Sequence, residues 1–144
     1  LTPRSPAVFL HAVGLAKKFN AKLHAVTVTL PSSSLPYEEF LSEEKMEEVK
    51  LAGHKKAEAL LRHRIDVFAE ANPELDVKSV LASVRALEGD ASRRILDVAK
   101  HVLADVIVMG SRGHSTIGEL LLGSVAHKVT MKADIPVMLV PIDR

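Results

Sequence analysis

The side chains and turns with chemistry to offer gather in residues 106–129, VIVMGSRGHSTIGELLLGSVAHKV. Gly110 and Gly113 follow the apolar run Val106, Ile107, Val108, Met109, and after nine intervening residues Gly123-Ser124 opens a second apolar-periodic segment. Glycines at the carboxyl end of a strand let backbone N–H groups approach a ligand with no Cβ in the way. A Gly-Ser pair at a helix start adds unpaired N–H donors, a hydroxyl and the positive end of the helix dipole. Such parts suit a phosphate. The plainer alternative is that Gly110 and Gly113 serve tight turns and Gly123 lets a helix pack closely. Arg112 could offset phosphate charge, and His114 is near enough in sequence to be weighed as a catalytic group. His127 and Lys128 follow one helical turn past Gly123 and are assigned to a solvent face. No G-x-x-x-x-G-K-[ST] run occurs, so the lysine and Mg²⁺-holding hydroxyl of a P-loop are absent. Phosphoryl transfer would further need metal-positioning carboxylates and a group orienting the attacking water. No Ser-His-Asp or paired-carboxylate arrangement can be argued from the spacing. The residues thus point to binding of a phosphate-bearing ligand, with weak hydrolysis at most.

Composition narrows the partners. The chain has 144 residues, enough for one domain with a proper core, and 1–144 is read as a single domain. Nineteen basic and 18 acidic side chains leave a net charge of +1, too small a field to recruit nucleic acid or an anionic membrane. Aromatic residues at 3% argue against a base-stacking platform. The absence of cysteine excludes disulfides, thiolate metal sites and a cysteine nucleophile. No apolar run approaches ~18 residues, so no membrane span is expected. The expectation is a soluble cytoplasmic protein.

Positioning falls to alternating elements. Ser5-Pro6 reads as a helix start, and Val8, Phe9, Ala12, Val13, Ala16 and Phe19 recur at helical spacing until Asn20. Residues 23–30 (LHAVTVTL) read as a strand with Val26 and Val28 on one face, and the proline- and serine-rich stretch 31–36 as a loop. Glu38, Glu39, Glu43 and Glu44 are read as a solvated patch and a favourable helix N-terminus rather than a metal site. Residues 42–71 carry the longest helical pattern, with an apolar stripe of Met46, Val49, Gly53, Ala57, Leu60, Leu61, Phe68 and Ala71. Its His54 and His63 face different directions and make no ligand pair. Residues 77–84 (VKSVLASV) read as a strand of mixed polarity at a sheet edge. Asp90 or Ser92 caps the next helix, whose apolar face is Ile95, Leu96, Ala99, Val102 and Leu103. Residues 106–109 read as a strand buried on both faces. A helix then spans residues 124–132 with Val125 and Val129 inward, and a last buried strand follows over residues 137–140. Strict helix–strand alternation with short apolar strands implies a parallel sheet with helices on both faces. Ligands of such sheets bind beyond the carboxyl ends of the strands.

The spacing Gly110-x2-Gly113-x9-Gly123-Ser124, with VIVMGSRGHS before it, LLLGSVAHKV within it and IPVMLVP after it, resembles the nucleotide-binding signature of the universal stress protein family. AKKFNAKLHAVTV resembles that family's first helix and second strand. The resemblance implies an α/β fold with an open parallel five-stranded sheet in the order 3-2-1-4-5. It implies a stress-response homodimer joined through the last strand, Val137–Val140. It implies ATP or AMP as the bound ligand, with Mg²⁺ or Mn²⁺ accompanying a triphosphate. Carried over by position, Gly110, Gly113, Gly123 and Ser124 cradle phosphates and ribose, with Met109, Arg112 and Val125 alongside, and Val28 meets the adenine through its backbone. Readings from other classes are a slow ATPase or phosphotransferase, and a dimeric scaffold that binds no nucleotide. Family members open with a central strand that ends in an aspartate. Leu1-Thr2 falls just after the place of that aspartate, and the expectation is that strand and carboxylate precede residue 1. Without that strand the sheet is expected to fall into two unpaired halves.

Overall fold

The computed structural model describes residues 6–31, 42–111 and 122–142. In chain order these form α1 (Pro6–Lys18), β1 (Leu23–Thr29), α2 (Glu43–Ala71), a 3₁₀ turn (Pro73–Leu75), α3 (Val77–Val80), β2 (Leu81–Glu88), α4 (Ala91–His101), β3 (Ile107–Gly110), α5 (Ser124–Lys132) and β4 (Val137–Val140). Helix and strand alternate as the pattern demands, apart from the 3₁₀ turn and one further helical turn inserted between α2 and β2.

That turn is the first correction. Residues 77–80 are helical, and the strand begins at Leu81 and runs on to Glu88. Asp76 adopts a left-handed conformation (φ 44°), and its carbonyl accepts hydrogen bonds from the backbone N–H and the hydroxyl of Ser79. Lys17 Nζ donates to Ser79 Oγ at 2.8 Å and pairs with Asp76 Oδ2 at 3.4 Å, tying the turn to α1. Asp76 and Ser79 thus offer residues 77–80 local hydrogen bonds in place of a sheet ladder.

The strands make two parallel pairs, β1 with β2 and β3 with β4. In the first, Ala25 lies opposite Val84, Val26 opposite Arg85 and Val28 opposite Leu87. The register slips by one residue between Leu23 and His24, where His24 Nδ1 lies 2.7 Å from Ser83 Oγ across the strands. In the second, Met109 is opposite Leu139 and Gly110 opposite Val140. α1 packs against β1, β3 and β4, and so touches both pairs. The main core joins Phe9, Val13 and Ala16 of α1 to Leu61 and Ile65 of α2, Val77 and Val80 of α3 and Val84 of β2. Phe9 and Phe68 meet edge to face with ring centroids 5.0 Å apart. Ser42 caps α2 by accepting the N–H of Lys45, which fixes its start at Glu43. Among the described residues no helix is long and apolar enough to cross a membrane.

Burial departs from expectation at five places. Of the long helix's apolar stripe only Leu61 is buried, joined by Ile65, which the stripe omits, while Val49 and Leu60 are exposed. In α4 the buried positions are Ser92 and Val98, and Leu103 beyond its end is 85% exposed with φ 54°, a left-handed exit from the helix. In α5 the buried residues are Ala126 and Val129, while Val125 is half-buried. β3 spans Ile107–Gly110 rather than starting at Val106, and only Ile107 is buried. β4 likewise buries Val140 alone. Strands paired along one edge only, as β3 and β4 are among the described residues, leave main chain and side chains half open to solvent.

Candidate functional site

β3 ends at Gly110, and Ser111 continues it by donating its N–H to the carbonyl of Val140 at 3.0 Å. The chain returns at Gly123, whose N–H donates to the carbonyl of Ser111 at 2.8 Å. This bond seats the N-terminus of α5 against the carboxyl end of β3. Gly123 is the N-cap residue of α5, and no side chain caps the helix among the described residues. Its carbonyl accepts the N–H of His127 at 2.8 Å, which begins the helical ladder. The first-turn N–H groups of a helix have no intrahelical acceptor and carry the positive end of its dipole. The Ser124 side chain is exposed beside them, and Gly123 and Val125 are half-buried.

Met109, Gly110, Gly123, Ser124 and Val125 are therefore brought to one end of the β3–β4 pair. Arg112, Gly113 and His114 lie outside the described residues. Val28 sits near the carboxyl end of β1 in the other strand pair, half-buried, with no hydrogen bond to the β3 end among the described residues. Ser111 is the participant that spacing passes over. It contributes through backbone carbonyl and N–H, which every non-proline residue possesses, so its identity carries no signal. His127 and Lys128 are exposed, as expected.

Asp90 caps α4, accepting the Arg93 N–H at 2.9 Å and the Ser92 hydroxyl at 2.7 Å. The Ser92 hydroxyl first, then the Arg93 N–H, holds its carboxyl below the usual range, with smaller help from Lys128 and Lys132 of α5. A helix N-terminus that already holds its own carboxylate has little left for an anion, so α4 offers no counterpart to the free end of α5. Among the described residues no group of three His, Cys, Asp or Glu side chains is placed to hold a metal ion.

Against known proteins, the universal stress protein family is matched over residues 1–141. A universal stress protein of Methanocaldococcus jannaschii is 33% identical over 139 residues, covering 90% of this chain and 71% of that protein. The universal stress protein YxiE of Bacillus subtilis is 32% identical over 133 residues, covering 90% and 85%. The stress response protein NhaX of the same bacterium is 39% identical over 75 residues, 52% of this chain and 45% of NhaX, so the shared segment spans less than half of that protein. Among solved structures, UspA from Lactobacillus plantarum superposes with a TM-score of 0.66 at 25% identity, covering 95% of this chain and 89% of that one. A universal stress protein in complex with cAMP superposes with a TM-score of 0.53 at 21% identity, covering 95% and 86%, a level that speaks to fold alone. These neighbours place the described elements in a Rossmann-like α/β architecture. The chain belongs to the universal stress protein family.

Proposed function

We propose that this protein is a stress-response regulator that binds an adenine nucleotide, ATP or AMP, at the carboxyl end of β3. The observation that carries the reading is the Gly123 N–H to Ser111 carbonyl bond, which sets the start of α5, uncapped among the described residues, beside Gly110. Phosphates suit that position because the donors need no rearrangement and no Cβ intrudes at Gly110 or Gly123. The solved relative holding cAMP lends support, since that ligand carries both adenine and phosphate. In this reading Gly110, Gly113, Gly123 and Ser124 hold phosphate and ribose, Met109, Arg112 and Val125 line the site, and the Val28 backbone meets the base. Mg²⁺ or Mn²⁺ would enter with a triphosphate, held by the phosphates themselves.

The same reading carries the finer architecture: one domain over residues 1–144, with strand order 3-2-1-4-5 and a further strand between β1 and β3. Support comes from α1, which packs on β1, β3 and β4 and so bridges the two pairs. A homodimer forms through Val137–Val140, whose second edge has no strand partner among the described residues. The protein acts in the cytoplasm and signals through what it binds.

Calorimetric titration with ATP, ADP and AMP tests the site. Binding is expected, and Gly123→Val or Ser124→Asp should abolish it while the circular dichroism spectrum stays unchanged. Bulk or negative charge would then occupy the phosphate position. No heat at millimolar nucleotide would overturn the proposal.

A further inference from the structure

α2 is 29 residues long, yet its two buried side chains, Leu61 and Ile65, both lie in its second half. Around the helix from that core face runs a second apolar stripe. Met46, Gly53, Leu60 and Val67 recur at seven-residue spacing, and Val49 stands one turn on from Met46. Val49 is 39% exposed, Leu60 49% and Val67 51%. Adjacent residues on a helix are about 100° apart, so Leu60 points well away from the core that Leu61 enters. A Cβ placed on Gly53 would meet nothing within 4 Å, leaving an open seat at the middle of the stripe.

Charge is sorted around this stripe. Lys50 and Arg64 flank it on one side, and Lys45, Lys56 and His63 on the other. Glu44, Glu47, Glu48, Glu58 and Asp66 lie on the opposite face at about 100° per residue, where Lys55 and Arg62 are the cations and Leu51 is 58% exposed; Glu43 and Glu70 lie at right angles to the stripe near its ends. None of the flanking cations is in an ion pair among the described residues, whereas Glu58 on the far face is paired with Arg62.

We propose that this face of α2 docks an acidic amphipathic helix of a partner protein. A seven-residue apolar repeat is the pattern that meshes with another helix, and charges beside such a seam select a partner of opposite sign. A second copy of α2 is disfavoured, because in either orientation its own cations would meet these cations. An anionic bilayer is also disfavoured, since a stripe this narrow, with glycine at its middle, offers little apolar surface to bury. Gly53 lets the partner's backbone come close at the crossing.

The test uses two synthetic four-heptad peptides with Leu at the a and d positions, one with Glu and one with Lys at e and g. Binding to the protein is read by fluorescence anisotropy at low and physiological salt. The Glu peptide is expected to bind at least about tenfold more tightly than the Lys peptide, and to weaken as salt rises. Leu60→Glu should remove binding without unfolding the protein, since that side chain lies outside the core. The double variant Lys50→Glu, Lys56→Glu should reverse the preference toward the Lys peptide. Equal binding of both peptides, binding of neither, or unfolding of Leu60→Glu would overturn the proposal. So would retention on phosphatidylserine vesicles with no peptide binding, or self-association in sedimentation that Leu60→Glu abolishes.

Discussion

Leu60 and Leu61 are chemically identical neighbours, and the structure assigns them opposite fates. Leu61 is 4% exposed among Ile65, Val77, Val80 and Val84, whereas Leu60 is 49% exposed. Truncating a buried leucine to alanine loses the transfer energy of the removed carbons and leaves a cavity, together about 2–5 kcal/mol. Taking ~3 kcal/mol for Leu61→Ala, and about 2–4 °C per kcal/mol for a domain of this size, the thermal midpoint should fall by about 6–12 °C. Leu60→Ala removes a side chain already half in water and should stay within about 0.5 kcal/mol of the parent. With no tryptophan and one tyrosine in the chain, far-ultraviolet circular dichroism of the helices is the natural readout. Urea titration on the same samples checks that the slope is unchanged, so that midpoint differences mean stability. Equal losses in the two variants, or a larger loss for Leu60→Ala, would refute the two-faced description of α2 and the docking surface drawn from it.

Gly89 has φ 128°, and a Cβ there would lie 3.2 Å from Arg94 Nε, which donates to the carbonyl of Glu88. Gly89→Ala should therefore cost about 1–3 kcal/mol, and an unchanged melting temperature would show that the turn relaxes freely. His24 is held below its ordinary value of 6.5, first by burial and then by Arg85 and Lys22. The unfolded chain thus takes up this proton at higher pH than the folded one. Stability should decline as pH falls through about 6.5 and level off below the depressed folded value. Melting curves between neutral and mildly acidic pH should show this decline in the parent and a smaller one in His24→Gln. Asp90→Ala leaves the Arg93 N–H without its side-chain acceptor and should lower the melting temperature, with Asp90→Ser restoring most of it. The lowered carboxyl pKa sets the sign of its pH dependence. The stability it contributes is present above about 3.8, the ordinary value, and is lost as pH falls through the folded one.

Much of the architecture was legible because its signals are local. Ser42 at the start of α2 and Asn72-Pro73 after its end act through their own neighbours, and both limits stand as read. The alternation of helix and strand rests on apolar periodicity, which solvent alone enforces. Within residues 77–84 only 77–80 depart from the expected strand, because Val77, Val80 and Val84 fit a helical repeat as well as a strand. The choice was made by the hydrogen bonds of Asp76 and Ser79 and by Lys17, distant in sequence. The stripe of α2 merged two faces for a related reason. Adjacent Leu60 and Leu61 both satisfy a helical period, and only the position of Val84 and its neighbours decides which one is core. At the candidate site the structure brings together those of the spaced positions that it describes, Gly110, Gly123 and Ser124, through the Ser111 backbone.

The half-burial of the strands follows from how they are paired. All seven residues of β1 are half-buried, although they include Leu23, Ala25, Val26 and Val28, and β3 and β4 bury one residue each. Two-stranded sheets are marginal, and parallel strands in α/β folds ordinarily lie between neighbours on both edges. α1 already lies against both pairs. A strand hydrogen-bonded to β1 on one side and β3 on the other would satisfy both inner edges at once and cover apolar side chains that now face solvent. It would also hold Val28 at a set distance from Gly110, which the adenine-nucleotide reading requires. Nucleotide binding should therefore come with protection of the β1 amides from hydrogen exchange. Protection gained without nucleotide binding would leave the sheet order standing and refute the site.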